Sequence, residues 1–257
     1  MIAEQWVLAA GAAIFVATII AIRFHLDRLV PWIASSGCAA ILLALLFRLI
    51  ATGRVPWASL SESAALLALI VSVAAVISIL KDMPRPMSYF LVIVAATLAA
   101  FSAASWEAPG TLPVSLQSEW LLVHVPIAIV SYGLFACSAA ASAAYLYYMV
   151  KRPSESAKTA RLDRLSITCI TVGLLLLVIA IIMGSLWAKA AWGSYWSWDP
   201  KETWSLITAI VYGAYLVLRR AGMKGEEAAY VSLIGFGCVI FTYLGVSYII
   251  PGLHSYA

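Results

Sequence analysis

The stretch that decides the fold class reads Leu165-Ser-Ile-Thr-Cys-Ile-Thr-Val-Gly-Leu-Leu-Leu-Leu-Val-Ile-Ala-Ile-Ile-Met-Gly-Ser-Leu-Trp187, and it contains no charged side chain. As a helix it is long enough to cross the hydrocarbon core of a bilayer, which takes about 20 apolar residues. Seven other stretches have a similar length and composition. Together they predict an all-α, polytopic membrane protein with about eight transmembrane helices, at about 4–22, 32–50, 60–80, 88–105, 120–149, 165–187, 202–219 and 227–250.

The composition of the whole chain supports this fold class. Of the 257 residues, 64% are hydrophobic and only 11% are charged, whereas soluble domains carry about 25% charged residues. The chain has no basic tract, so we expect the lipid bilayer, and no nucleic acid, as a partner. Because no repeat or low-complexity linker interrupts the chain, we expect a single integral membrane domain over residues 1–257.

The distribution of basic residues predicts the orientation of the spans. Of the 16 Lys and Arg residues, 12 fall in one set of loops, which the positive-inside rule places in the cytoplasm. Eight spans then put both termini on the outer side, together with the segment between the sixth and seventh spans.

That outer segment, residues 187–204, holds five of the ten tryptophans. An interfacial aromatic belt would explain tryptophans at a membrane surface, but a belt spreads them over many helix ends. A cluster of flat indoles also suits a large planar apolar ligand with a polar edge. The residues expected to contact such a ligand are Trp192, Tyr195, Trp196, Trp198, Asp199 and Trp204.

The motif Asp199-Pro200-Lys201-Glu202 has the pattern of a helix start. Asp favours the N-cap, Pro the first helical position and Glu the third, where its carboxylate can bond back to the cap amide. We therefore expect Asp199 to cap the seventh span, in preference to acting as a catalytic acid. Glu62 is expected in the first turn of the third span, where the helix dipole favours an acid. No acid, base or nucleophile constellation is visible, so no catalytic residue is assigned.

Two of the three histidines, His124 and His254, are expected on the same outer side as the tryptophans. One imidazole on each side of a porphyrin would give bis-histidine ligation of a heme iron; a solvated interfacial histidine is the simpler alternative. His25 is expected at the cytoplasmic surface, with second-site ligation as the alternative. The cations expected on the outer face would pair with heme propionates or anchor the helices at the interface; they are Arg48, Arg54, Lys189 and Lys201.

The segment from Trp192 to Trp204 resembles the tryptophan-rich WWD signature of heme-handling membrane proteins. Its ending, Asp-Pro-Lys-Glu-Thr-Trp, is most similar to CcsA/ResC-type cytochrome c biogenesis proteins (system II). The same family pattern includes the Leu-Val-His124-Val-Pro segment, the stretch from Pro56 to Glu62, and the closing Gly252-Leu-His254-Ser-Tyr-Ala257. The resemblance runs from about residue 55 to the end, and residues 1–54 match only as hydrophobic spans.

The resemblance implies a function in heme transport and attachment. It also implies a location in a bacterial inner (plasma) membrane with the functional face on the periplasmic side, or in a thylakoid membrane if the protein is from a plastid. Members of the family bring heme to the outer face and join it to the CxxCH thiols of an apocytochrome c. By this resemblance His124 and His254 are axial ligands of a b-type heme bound by the WWD segment, and the chain is part of a holocytochrome c synthase (heme lyase) complex. A CcsB/ResB-type membrane partner is implied, as is a thioredoxin-like thiol reductant, since this chain has no CxxC.

One position departs from the family pattern. The span after the WWD segment commonly ends in Leu-His, and that histidine helps to hold heme within the membrane, but here Val217 takes its place.

The alternative function is a CcmC-like heme exporter or chaperone-loader without synthase activity, which would use the same residues. A small-molecule transporter or structural subunit is disfavoured, because few polar residues or broken helices are evident near mid-membrane.

Overall fold

The computed structural model describes residues 2–108, 110, 113–152 and 154–250, and within those ranges it is helical, without a strand. A 3₁₀ turn, Val114–Leu116, precedes the fifth long helix, and the eighth continues through a π-helical turn, Phe241–Gly245, into a short helix, Val246–Ile249. The predicted all-α polytopic fold is confirmed, because each predicted span corresponds to one long helix. These helices are α1 Ile2–Arg23, α2 Val30–Thr52, α3 Leu60–Leu80, α4 Arg85–Ala104, α5 Glu119–Lys151, α6 Ser156–Trp192, α7 Pro200–Arg220 and α8 Gly225–Ile240.

Seven helices in the described part of the chain are long and apolar enough to cross a membrane, with α8 counted through to Ile249. The remaining long helix is α7. It has 21 residues, but Glu202 lies in its first turn and Arg219 and Arg220 in its last, and these charges lower its hydropathy. Its length of about 31 Å still matches the hydrocarbon core. The protein is therefore a multi-pass membrane protein.

The observed bounds differ most from the predicted ones at α6. This helix was expected at 165–187 and instead has 37 residues, from Ser156 to Trp192. Its additional N-terminal turns carry Lys158, Arg161 and Arg164, and hydropathy does not distinguish such a charged helical extension from a loop. At the other end only residues 193–199 lie between α6 and α7, so most of the tryptophan-rich segment is helical.

The chain divides into two compact units, Met1–Thr111 and Leu112–Ala257, and the expectation of one membrane domain stays a prediction. In the first unit α1 and α3 each pack against both α2 and α4, which is the arrangement of a four-helix bundle. Small buried residues such as Ala34, Ala64 and Ala68 line its core and allow close helix packing. At Gly37 an added methyl group would lie 3.1 Å from the Phe15 ring, so this approach favours glycine.

In the second unit α5 and α6 pack against each other, α8 packs on α5, and α7 contacts both α6 and α8. The hydroxyl groups of Ser138 and Ser232 form a hydrogen bond of 2.7 Å between α5 and α8. Tyr212 of α7 stacks on Phe135 of α5, with ring centroids 3.9 Å apart and planes 6° apart. These contacts fix the relative positions of the helices that carry the tryptophan-rich segment.

Candidate functional site

The tryptophan-rich segment starts on the last turns of α6. Trp187 is buried, and its Nε1–H donates to the main-chain carbonyl of Ser115 at 2.8 Å. Trp192, the last residue of the helix, meets Trp187 edge to face at a centroid distance of 4.6 Å. The helix ends where Gly193 adopts a φ of +82°, a left-handed conformation that glycine takes without steric cost. The Lys189 ammonium donates to the Gly193 carbonyl at 2.8 Å, which closes this helix end.

The next helix, α7, begins as its sequence predicts. Asp199 is the N-cap, and its carboxylate accepts the Lys201 N–H at 2.9 Å. The Glu202 carboxylate accepts the Asp199 N–H at 3.1 Å, and Pro200 occupies the first helical position. The predicted capping box is therefore confirmed, and it fixes the direction in which α7 leaves the tryptophan-rich segment.

Trp198 has an unusual backbone for a bulky residue, with a φ of +58°. The N–H groups on both sides of it, from Ser197 and Asp199, donate to the same Glu202 oxygen at 2.8 and 3.1 Å. Glu202 thus compensates a left-handed conformation that L residues otherwise avoid. The Trp198 indole is consequently 69% exposed and packs edge to face with Trp196 at a centroid distance of 5.8 Å.

His124 projects from the second turn of α5 towards α6. Its Nδ1 lies 2.8 Å from the main-chain carbonyl oxygen of Ala180. A carbonyl oxygen only accepts, so Nδ1 carries the proton and the lone pair of the neutral ring is on Nε2. The imidazole also stacks on Trp187, with centroids 6.4 Å apart and planes 14° apart. The structure therefore places His124 against Trp187, which in turn packs against Trp192.

The remaining aromatic residues of the segment have separate contacts. Tyr195 is exposed, with the Lys189 ammonium 5.4 Å from its ring centroid. Trp204 packs against Phe241 at 4.3 Å, at the start of the π-helical turn, a kind of irregularity that is frequent at functional sites. The side chain of Lys201 is half-buried in the first turn of α7.

His254 lies outside the described residues, as does the rest of 251–257. The predicted pairing of His124 with His254 therefore stays a prediction.

Arg54, predicted to bind a propionate, lies in the first unit beside a buried acid. Its guanidinium makes two hydrogen bonds to Glu62, at 2.8 and 2.9 Å. Arg48 donates to the same carboxylate at 2.7 Å and lies 3.7 Å from the carboxylate of Glu4. The Trp106 Nε1–H donates to Glu4 at 3.0 Å. Two acids and two arginines thus balance in charge at one end of this unit. The sequence suggested a helix-dipole role for Glu62, with a polar role beside the functional site as the alternative.

The structure also places the two positions that bear on a second heme site. His25 is exposed at the end of α1, where its Nδ1 contacts the Arg85 guanidinium. Arg85 also binds Asp27 through two hydrogen bonds of 2.9 Å. Val217 is 63% exposed on α7.

Two residues around His124 were missed by the sequence reasoning. Ala180 acts through its carbonyl, and Gly184 through its lack of a side chain, since a methyl group there would lie 2.8 Å from Cε1 of His124. A glycine three residues before Trp187 in an apolar helix was the available signal, but the sequence does not show which ring faces it.

The chain is similar to known cytochrome c assembly proteins over most of its length. The family model described as "Cytochrome C assembly protein" matches residues 57–254. The cytochrome c biogenesis protein CcsA of Gloeobacter violaceus is 32% identical, in an alignment that covers 96% of this chain and 94% of that protein. CcsA of a Synechococcus strain is 33% identical, covering 91% of this chain and 86% of that protein.

Other alignments cover the known protein only in part. CcsA of Chlamydomonas reinhardtii is 43% identical over 147 residues, which is 55% of this chain and 42% of that protein. Among solved structures, the cytochrome c heme lyase CcmF superposes with a TM-score of 0.62 at 17% identity, covering 93% of this chain and 44% of the lyase. At this identity the likeness is one of fold.

Proposed function

The chain belongs to the cytochrome c assembly protein family as a CcsA-type cytochrome c biogenesis protein, and from this premise we propose that it binds b-type heme at the tryptophan-rich segment and presents it to apocytochrome c. In this proposal His124 and His254 are the axial ligands, and the tryptophan-rich segment is on the periplasmic side. A CcsB/ResB-type membrane protein completes a system II synthase, and a thioredoxin-like partner keeps the apocytochrome thiols reduced. Heme is the cargo of the protein.

The observation that carries this proposal is the environment of His124. Iron takes a neutral imidazole through the nitrogen that bears the lone pair, and metal-binding histidines generally donate the other N–H to a carbonyl or carboxylate. The Nδ1 contact with the Ala180 carbonyl, 2.8 Å long, gives His124 this arrangement. A histidine that only met solvent would need neither the fixed tautomer nor the parallel Trp187 ring.

Other side chains of the tryptophan-rich segment are of the kinds that the rest of a heme requires. The indoles of Trp192, Trp196 and Trp198 provide flat apolar surface, as a porphyrin requires. We assign Lys201 to a propionate, since its half-buried side chain lies within the tryptophan-rich segment, in the first turn of α7, and an ammonium forms a strong charge-assisted hydrogen bond with a carboxylate. The corresponding assignment of Arg54 remains a prediction, and its guanidinium would have to be shared with Glu62.

The chemical step that we propose consists mainly of positioning. Each thioether forms when a cysteine S–H adds across a heme vinyl group: sulfur bonds to one carbon, the hydrogen goes to the other, and there is no net oxidation. Holding the ring edge beside two thiols replaces a bimolecular encounter by a local one. The contributions of this chain are orientation, through His124 and the indoles, and exclusion of water from one face of the ring.

The experiment that tests the function uses the chain purified with a co-expressed CcsB/ResB-type partner. Heme per chain is measured by pyridine hemochrome for wild type, His124→Ala, His254→Ala and the matched control His25→Ala. We expect a low-spin spectrum in wild type and His25→Ala, loss of most heme in the other two, and partial restoration by imidazole. Wild-type heme content and spectrum in His124→Ala would refute the ligation. Heme binding without thioether formation on an added apocytochrome would favour the exporter.

A further inference from the structure

One face of α6 lies against His124. Ala180, Gly184 and Trp187 are spaced four and three residues apart, so they lie on the same side of the helix. Ala180 provides a carbonyl oxygen and Trp187 a stacked ring, and Gly184 lies between them. A carbonyl has two lone pairs, so Ala180 can accept from His124 and still keep its helical hydrogen bond.

The space for the imidazole exists because residue 184 has no side chain. A methyl group at Gly184 would lie 2.8 Å from Cε1 and 3.0 Å from Nδ1 of His124. Non-bonded carbon atoms pack at about 3.5–4.0 Å. A ring facing a methyl group here would have to move away from the Ala180 carbonyl, or α5 and α6 would have to separate.

We infer that Gly184 is a positioning residue for heme ligation, because it lets His124 lie on the Ala180 carbonyl and thereby aims Nε2 at the iron. The inference rests on the proposed function in one respect, namely that His124 binds iron. Groups that orient a metal ligand in this way typically change metal affinity by about 10–100-fold when they are altered.

Two other glycines separate this role from ordinary helix packing. Gly173 lies in α6, as Gly184 does. A methyl group at Gly173 would be 2.9 Å from the Phe135 ring, and its nearest neighbours all belong to Phe135 and not to His124. Gly213 lies inside α7 with nothing within 4 Å of the added carbon. Gly173→Ala is therefore the control for tight packing without a histidine, and Gly213→Ala the control for the glycine-to-alanine change itself.

The test measures heme affinity, the low-spin absorption and EPR spectra, and thermal stability for the three alanine variants, each purified as the full chain with its partner. We expect Gly184→Ala to weaken heme binding at least tenfold and to alter the EPR signature, which depends on the orientation of the axial imidazole planes. Gly173→Ala should lower thermal stability with an unchanged spectrum, and Gly213→Ala should resemble wild type. A wild-type spectrum and affinity in Gly184→Ala would overturn the inference.

A double variant keeps the inference testable if Gly184→Ala folds poorly. Removing the ring removes the clash, so His124→Ala/Gly184→Ala should match His124→Ala in yield and heme content. Equal additional losses from Gly184→Ala in both backgrounds would show that the glycine acts on packing alone and would overturn the inference. If His124→Ala itself keeps wild-type heme, the proposed function fails. If His124→Ala loses heme while Gly184→Ala behaves like Gly213→Ala, only the role of Gly184 fails.

Discussion

Arg48 and Glu62 form an ion pair in which Nε lies 2.7 Å from Oε1 and neither side chain is more than 2% exposed. Breaking a buried pair by removing one partner leaves a charge without compensation, which typically costs about 3–5 kcal/mol. We therefore expect Glu62→Gln to lower the melting temperature of the detergent-solubilised protein by several degrees. The control is Glu119→Gln, which also removes a first-turn acid, but an exposed one at the start of α5. Equal melting temperatures for the two variants would contradict the prediction.

A buried and an exposed tryptophan of the tryptophan-rich segment should respond differently to mutation. Trp198→Ala removes an exposed indole, so we expect a change in unfolding free energy within about 0.5 kcal/mol together with reduced heme retention. Trp187→Ala empties a buried site and should destabilise the protein by about 3–5 kcal/mol. Thermal melts and heme content distinguish these outcomes, with Trp32→Ala, at an exposed position in the first unit, as a control. Loss of accumulated protein in Trp198→Ala would instead assign that indole a structural role.

Glu202 should control the backbone at Trp198. Glu202→Ala removes the acceptor for the Ser197 and Asp199 N–H groups, so we expect about 1 kcal/mol lower stability, as for a lost helix cap. The released segment should also make its tryptophan fluorescence more accessible to a soluble quencher. Glu227→Ala, at an exposed first-turn acid of α8, is the matched control and should leave quenching unchanged. An unchanged quenching curve in Glu202→Ala would count against control by Glu202.

The heme stoichiometry should reflect the valine at position 217. Its side chain cannot ligate iron, and His25 contacts Arg85 in an exposed cluster, so we expect one heme per chain at most in partner-free protein, unchanged in His25→Ala. Val217→His should add a second b-type heme when the partner is present. Leu218→His, one position along the same helix, is the control and should not. A second heme in partner-free wild type that disappears in His25→Ala would identify His25 as a ligand.

The sequence predicted the helices well and the contacts between them poorly. Apolar length located all eight long helices, and the local Asp199–Glu202 motif predicted its own cap, since both depend on neighbours in the chain. The pairing of Arg48 with Glu62 depends on how α2 packs against α3, which composition does not contain. The Ala180 carbonyl was invisible for a related reason, because every residue has one and only the packing of α5 on α6 selects it for His124. The left-handed backbone of Trp198 has no local signal, because bulky residues otherwise avoid it.

Glu202 binds Ser197 and Asp199 mainly by accepting hydrogen bonds from their main-chain N–H groups. These hydrogen bonds do not involve the side chain of residue 198, which lies between the two donors and is exposed. The side chain at position 198 can therefore be substituted while these main-chain hydrogen bonds persist. What this segment recognises can therefore be altered at position 198 independently of the scaffold that supports it.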